Sequence, residues 1–306
     1  MKKILVMGAG GFIGKPLCLE LSKNNLIRAF NNTDITDFKG VKNIEVILGD
    51  FTGLDNFVDI LKDIDIVYHL ISTTIPSNNT DSIPLEIEEN IIPTVKLLEC
   101  MVKVGIEEIV FASSGGTIYG ETGDHRNCIM DPLKPICSYG VQKKVIETYL
   151  EFYGIKYGIN YKIARLSNPY GLGQDPSKPQ GVIPIFVNRL LNGEEIKIFG
   201  DGTNERDYIY MDDLVEGLIK LGEYKGEEHI FNLGFGKTHT LKEIIQIIEN
   251  LSGKKFKNVI FQPKRSFDVE KTILEVETSQ NKLSWRPKIE MEQGIDIILN
   301  RLIGDI

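Results

Sequence analysis

Tyr139 and Lys143 set a phenol and an ammonium four residues apart in the stretch Tyr-Gly-Val-Gln-Lys. On a helix, residues at i and i+4 share a face, so the ammonium would stand beside the phenol. The chemistry this spacing suggests is proton abstraction by a phenolate. Tyrosine ordinarily ionises near pH 10, and a base for neutral pH needs that lowered by roughly 3 units, about 4 kcal/mol. A fixed neighbouring cation is a direct way to supply it. Solvated helices produce the same spacing with no function attached, so the pair takes its meaning from its surroundings.

The first of these is Gly8-Ala-Gly10-Gly11-Phe-Ile-Gly14, between an apolar run and an amphipathic one. A strand–turn–helix of this kind needs glycines for the tight turn and for backbone to approach a pyrophosphate, and the helix N-terminus then favours phosphate. Glycine runs also punctuate ordinary turns, but this context favours a dinucleotide site. At the end of the next strand an NAD site usually carries an acid for the ribose hydroxyls. This chain has Asn31-Asn32 there, with no basic residue following at once for a 2′-phosphate, so the reading leans to NAD without excluding NADP.

The elements that must carry these groups can be read from periodicity. Strands are expected at Lys3–Gly8, Leu26–Asn31, Ile44–Gly49, Ile64–Leu70 and Glu108–Ser113. Helices are expected at Phe12–Lys23, Leu54–Lys62 and Leu85–Val104, the last kinked at Pro93. Strict alternation implies an α/β fold with a doubly wound parallel sheet. After Asn168 glycine and proline become frequent and the elements are expected to shorten. The chain is therefore divided into residues 1–167, a Rossmann domain, and 168–306, a smaller mixed α/β substrate region interleaved with it.

With 306 residues, 42% hydrophobic and 25% charged, the composition is that of a globular protein with a real core. A net charge of −8 argues against nucleic acid, although a local basic pocket for a polyanion is compatible with it. No apolar run reaches the ~20 residues a bilayer requires, and the opening Met1-Lys-Lys-Ile-Leu-Val-Met is too short for a signal peptide. Cys18, Cys100, Cys128 and Cys137 show no metal-ligand spacing with the histidines, so no metal is expected. They read as reduced cytoplasmic thiols, three of them in the core.

Several further stretches join these in order: Gly49-Asp50-Phe51, Tyr68-His69-Leu70, Asn90 with Thr94, and Phe111-Ala-Ser113-Ser114-Gly-Gly-Thr117-Ile-Tyr119-Gly120. After Tyr139 and Lys143 come Asn168-Pro-Tyr-Gly, Gly200-Asp-Gly, Arg206-Asp-Tyr-Ile-Tyr-Met-Asp-Asp213, Arg265-x-x-Asp268 and Leu283-Ser-Trp-Arg-Pro287. Together they resemble the extended short-chain dehydrogenase/reductase family, in its nucleotide-sugar epimerase/dehydratase branch, over nearly the whole chain. The resemblance implies that Gly8, Gly11 and Gly14 line the pyrophosphate, with Phe12 and Ile13 as backbone donors. It implies that Asn31 faces the ribose, that Asp50 and Phe51 flank the adenine, and that Leu70, Ile71, Ser72, Asn90 and Ser113 lie along the cofactor. Lys143 would bond the nicotinamide ribose besides tuning Tyr139. Asn168, Arg206, Arg265 and Asp268 would hold the sugar nucleotide, arginine being suited to a diphosphate. Homodimers packed through Leu85–Val104 and Tyr139–Tyr153 are usual in such proteins.

One departure matters. The family usually places a Ser or Thr at the position of Gly115, sharing the substrate O4 proton with the tyrosine. Ser114 or Thr117 must lend that hydroxyl here, with Thr117 favoured, unless both only cap the strand end. The Asp-Glu pair of the 4,6-dehydratases is replaced by Gly116-Thr117. The resemblance thus implies a UDP-hexose 4-epimerase with bound NAD, and as its rival an NAD(P)H-dependent 4-ketoreductase of a nucleotide deoxysugar. A non-catalytic dinucleotide sensor would have no use for Tyr139 and Lys143. Elsewhere, His69 reads as a satisfied core histidine, Asp207, Asp212 and Asp213 as loop and helix-cap residues, and Trp285 as a packing anchor.

Overall fold

The computed structural model describes residues 1–54, 56–76, 82–178, 180–265 and 268–304. The chain divides into two compact units, both discontinuous: 1–114, 137–165 and 215–231 form the first, and 115–136, 166–214 and 232–306 the second. A single cut at residue 167 does not describe this division, because 115–136 leaves the first unit early and 215–231 rejoins it late.

In the first unit β1 (Lys3–Met7) leads through α1 (Gly14–Leu21) to β2 (Leu26–Asn31) and β3 (Ile44–Leu48). Then come α2 (Val58–Leu61), β4 (Ile66–His69), α3 (Ile83–Glu86), α4 (Ile92–Val104), β5 (Glu108–Ser114), α5 (Ser138–Tyr157) and β6 (Asn160–Leu166). The strands join in one seven-stranded sheet. Its order is β10-β6-β5-β4-β1-β2-β3, with β10 at Ile230–Leu233. β1 pairs in parallel with both β2 and β4, so the chain reverses direction of travel beside β1. That reversal is the switch point at whose carboxyl edge open α/β sheets bind ligands. Near-continuous apolar strands (Leu5, Val6 and Met7 are fully buried) suit a sheet covered on both faces.

Three helices differ from expectation. α1 begins at Gly14 because Gly11–Ile13 are spent on the glycine turn. α2 keeps only Val58–Leu61, as the Asn56 side chain accepts from the Val58 amide and fixes a turn there. The helix through Pro93 is split rather than kinked. A π-turn over Ile87–Ile91 separates α3 from α4, and Pro93 falls in the first turn of α4, where its missing N–H costs nothing.

The second unit holds β7 (Asn168–Tyr170), α6 (Val182–Leu191), β8 (Ile196–Phe199), β9 (Glu205–Tyr210), β11 (Thr238–Thr240), α8 (Leu241–Ser252), β12 (Val259–Gln262), β13 (Lys271–Thr272), α9 (Glu277–Leu283) and α10 (Met291–Gly304). α7 (Met211–Glu223) begins in this unit and ends in the first. β9 carries β11, β13 and β7, while β8 pairs with β12. The helices do not shorten here. Ile244 and Ile248 of α8, with Ile295, Ile298 and Leu299 of α10, recur at helical spacing and bury a core with Tyr170, Phe186 and Tyr210. Trp285 is buried as an anchor, its Nε1–H donating to the Asp213 carbonyl. Asp213 and Asp207 act as loop staples. The Asp213 carboxylate accepts from the amides of Lys288 and Ile289, and that of Asp207 from those of Phe235 and Gly236.

Of the cysteines only Cys18 is buried; Cys100 is partly exposed on α4, Cys128 in the segment between β5 and α5, and Cys137 at the start of α5. No helix of the described residues is long and apolar enough to cross a membrane. Among those residues no group of His, Cys, Asp and Glu is arranged to hold a metal.

Candidate active site

The glycine turn is built for close approach. Gly8 has φ +84°, in the left-handed region, and a side chain there would press on Ile71 at 3.2 Å. A Cβ on Gly14 would lie 2.1 Å from the Gly8 carbonyl oxygen, so only glycine lets α1 start against β1. Gly11 closes the turn through its amide to the Gly8 carbonyl. Phe12 and Ile13 lead into α1, whose start carries no side-chain cap. The turn therefore fits a dinucleotide pyrophosphate: the backbone is bare where one would lie, with a helix start facing it.

Asn31 is tied into the same turn. Its Oδ1 accepts from the Gly10 amide at 3.2 Å, and its Nδ2 donates to the Thr33 carbonyl and hydroxyl. Asp50 is exposed, and hydrogen bonds from the Thr52 hydroxyl and amide hold its carboxyl below the usual range. The Phe51 ring packs into the core on Phe57 and His69. Leu70 continues the β4 pairing through its amide to the Met7 carbonyl. Ile71 backs Gly8, and the Ser72 hydroxyl donates to the Thr74 carbonyl. Buried Asn90, on the π-turn, accepts from the Thr73 amide and donates to the Thr73 hydroxyl and the Glu86 carbonyl, which fixes the loop after β4. That loop is also tied to α5, where the Thr74 hydroxyl donates to Gln142. His69 is neutral and in the core: burial, then the Lys143 charge, pull it down to about 3, and its Nε2 meets the Thr94 hydroxyl at 2.9 Å.

On α5 the Tyr139 hydroxyl is hydrogen-bonded to Ser114 at the end of β5. Lys143 is almost fully buried. Its Nζ donates to the Ala112 carbonyl at 2.9 Å, over the Phe111 ring and 5.5 Å from the Tyr139 ring centre. The spacing predicts a phenol drawn down by this ammonium; in the fold the phenol is pushed up instead. Protein surrounds the hydroxyl although the residue keeps part of its surface. Loss of water is the main cause, Cys137 adds to it, and the Ser114 hydrogen bond opposes it. Burial also lowers Lys143, to about 8, against the pull of Glu147. Ser113, expected along the cofactor, donates its hydroxyl to Glu147. Glu147 was not singled out by sequence, yet it repeats the spacing once more after Tyr139 and Lys143.

The remaining candidates lie in the second unit. Thr117 is in the segment that follows β5, and the backbone of Gly116 there runs close to the Asn168 amide, whose Nδ2 donates to the Asp207 carbonyl. Arg206 is held by three backbone carbonyls, those of Glu205, Val269 and Glu270. Burial lowers its pKa, with Tyr208 and Asp268 among the groups that oppose the shift. The Arg265 guanidinium lies over the Phe199 ring at 3.6 Å, and its carbonyl accepts from the Asp268 amide. Arg206 thus lies on β9, while Arg265 stands over Phe199 of β8 and is joined to Asp268 through the backbone. Phe199 is an addition that sequence did not suggest. Tyr119 is buried and donates to Asn232, a local role.

Comparison with known proteins gives a consistent picture. Residues 4–234 match the NAD dependent epimerase/dehydratase family. A putative UDP-glucose 4-epimerase of Methanocaldococcus jannaschii is 33% identical over 97% of this chain and 97% of its own. A dTDP-4-dehydro-6-deoxyglucose reductase of Escherichia coli is 34% identical over 98% and 97%. Among solved structures, the UDP-glucose 4-epimerase of Thermotoga maritima with UDP-glucose superposes with a TM-score of 0.92 at 31% identity, covering 99% of each chain.

Proposed function

The chain belongs to the NAD-dependent epimerase/dehydratase family, and from that premise we propose that it inverts C4 of a UDP-hexose through a 4-keto sugar, with UDP-glucose and UDP-galactose as the first pair to test. The observation that carries the reading is the hydrogen bond between Tyr139 and Ser114, formed beside Lys143.

NAD would be held by Gly8–Gly14, Asn31 and Lys143, and when bound it would supply a reversible hydride acceptor for C4. Tyr139 takes the O4 proton, and its phenol needs help because burial disfavours the phenolate. Ser114 gives that help as the hydroxyl that Gly115 lacks, and Lys143 provides the nearby positive charge. Arg206 and Arg265 grip the diphosphate while the keto sugar turns its other face, and Tyr139 returns the proton to O4.

A 4-ketoreductase would share only the closing half, in which hydride from NAD(P)H and a proton from Tyr139 reach a 4-keto sugar supplied as substrate, and two observations keep it in view: the identity to the E. coli reductase and the uncharged Asn31. The protein acts in the cytoplasm, where its four thiols remain reduced. It works as a homodimer, a reading supported by the exposed Leu85, Ile87, Ile92, Val141, Phe152 and Ile155 on and around α4 and α5. Sedimentation at the 34.5 kDa mass of one chain would contradict the dimer. Incubating the purified protein with UDP-glucose alone tests the activity. UDP-galactose should form without added cofactor. No product, together with NADPH-dependent reduction of a 4-keto sugar, would favour the reductase.

A further inference from the structure

Tyr139, Lys143 and Glu147 follow one another at i, i+4 and i+8 on α5, so they stand in a row on one face of the helix. Successive residues of β5 meet that row. The Ala112 carbonyl accepts from Lys143, the Ser113 hydroxyl donates to Glu147, and Ser114 is bonded to Tyr139. Glu147 is also gripped from β6, by Arg165 through Nη2 at 2.8 Å and Nε at 3.2 and 3.3 Å. Ser113, Lys143, Glu147 and Arg165 are all buried.

We propose that Glu147 is a positioning residue for the reaction: clamped by Ser113 and Arg165, it fixes the register of α5 on β5 and supplies the negative charge that keeps Lys143 an ammonium beside Tyr139. This rests on the reading of Tyr139 as the base.

A buried ammonium is costly unless a carboxylate answers it, and the direct hydrogen-bond partner of Lys143 named above is a neutral carbonyl. The titratable groups around it are Tyr139 and Glu147 on α5, His69 on β4, and Arg165 on β6 behind Glu147. His69 is neutral and Arg165 is positive, so Glu147 is the anion of this group. The Lys143 pKa is depressed by burial to about 8, so its charge is present below that pH and lost above it. Without Glu147 the loss moves to lower pH. Glutamine at 147 can still accept from Ser113, which separates the charge from the shape.

The test is a titration of the lysine ε-carbon NMR signals of the protein as purified, in wild type and Glu147→Gln, with Lys143 assigned from Lys143→Met. The Lys143 midpoint should fall by at least about one pH unit, a tenfold loss of proton affinity. The alkaline limb of the kcat profile should move down with it. If Arg165, left without its partner, prevents Glu147→Gln from folding, the charge-balanced Glu147→Gln/Arg165→Met variant should still lower the Lys143 midpoint, though by less, because Arg165 stands behind Glu147. An unmoved midpoint and an unmoved alkaline limb would overturn the proposal. A shifted midpoint with turnover indifferent to it would support the role of Glu147 toward Lys143 and count instead against Tyr139 as the base.

Discussion

At the scale of residues, the proposed reacting pair is Ser114 and Tyr139, joined by a hydrogen bond, and the consequence is an asymmetry among hydroxyls. Tyr139→Phe should lower kcat by about 10²–10⁴, the usual worth of a positioned acid–base group, while leaving the fold and the bound cofactor intact. Ser114→Ala should cost more in kcat than Thr117→Ala, because Ser114 is the hydroxyl that draws the phenol back toward ionisation. Steady-state kinetics of the three variants check this, and a larger loss at Thr117 would contradict it. The pair of Tyr139 and Lys143 was legible in the sequence because their spacing fixes their neighbourhood. The direction of the phenol shift was not, since it depends on how much protein surrounds the hydroxyl. Glu147 was overlooked for a related reason. A carboxylate one turn beyond a lysine reads as a solvated helix pair, and only Arg165, 18 residues on in another strand, reveals it as buried.

At the scale of elements, the glycine turn decides whether a cofactor is held. Gly14→Ala would drive a methyl into the Gly8 carbonyl, and the strain should cost about 1–3 kcal/mol. Denaturant unfolding measures that loss, and the cofactor released on heating the purified protein should fall in parallel. An unchanged stability would mean that α1 can shift away from β1. Strand positions were largely readable, since β2 at Leu26–Asn31 falls where its apolar run lies. The π-turn before Pro93 was not. A proline announces that a helix must break, but the neighbouring packing chooses where the backbone takes up the missing hydrogen bond. The length of α8 and α10 was missed although their apolar residues recur at helical spacing, because the glycines and prolines of 169–181 do not typify the chain that follows.

At the scale of the whole molecule, the parallel sheet followed from the alternation of elements, while two discontinuous units did not, because local pattern says nothing about which distant segments share a core. The stability of the folded chain should carry the mark of one buried base. His69 is depressed to about 3, so between pH 6.5 and 3 the unfolded chain binds the extra proton and acid destabilises the fold. From this group alone the loss should be about 2 kcal/mol between pH 6.5 and pH 5. Urea unfolding of wild type and His69→Gln at pH 7 and 5 checks it: the variant should show the smaller pH difference. The central claim concerns the hydrogen on C4, which must leave and return within one molecule. The most direct measurement follows UDP-glucose deuterated at C4, incubated with the purified protein in ordinary water, by mass spectrometry and NMR of the products. UDP-galactose carrying the deuterium at C4 is the predicted result. Galactose that has lost the label, or deuterium-labelled substrate left unconverted by an otherwise folded, cofactor-bearing protein, would contradict the account.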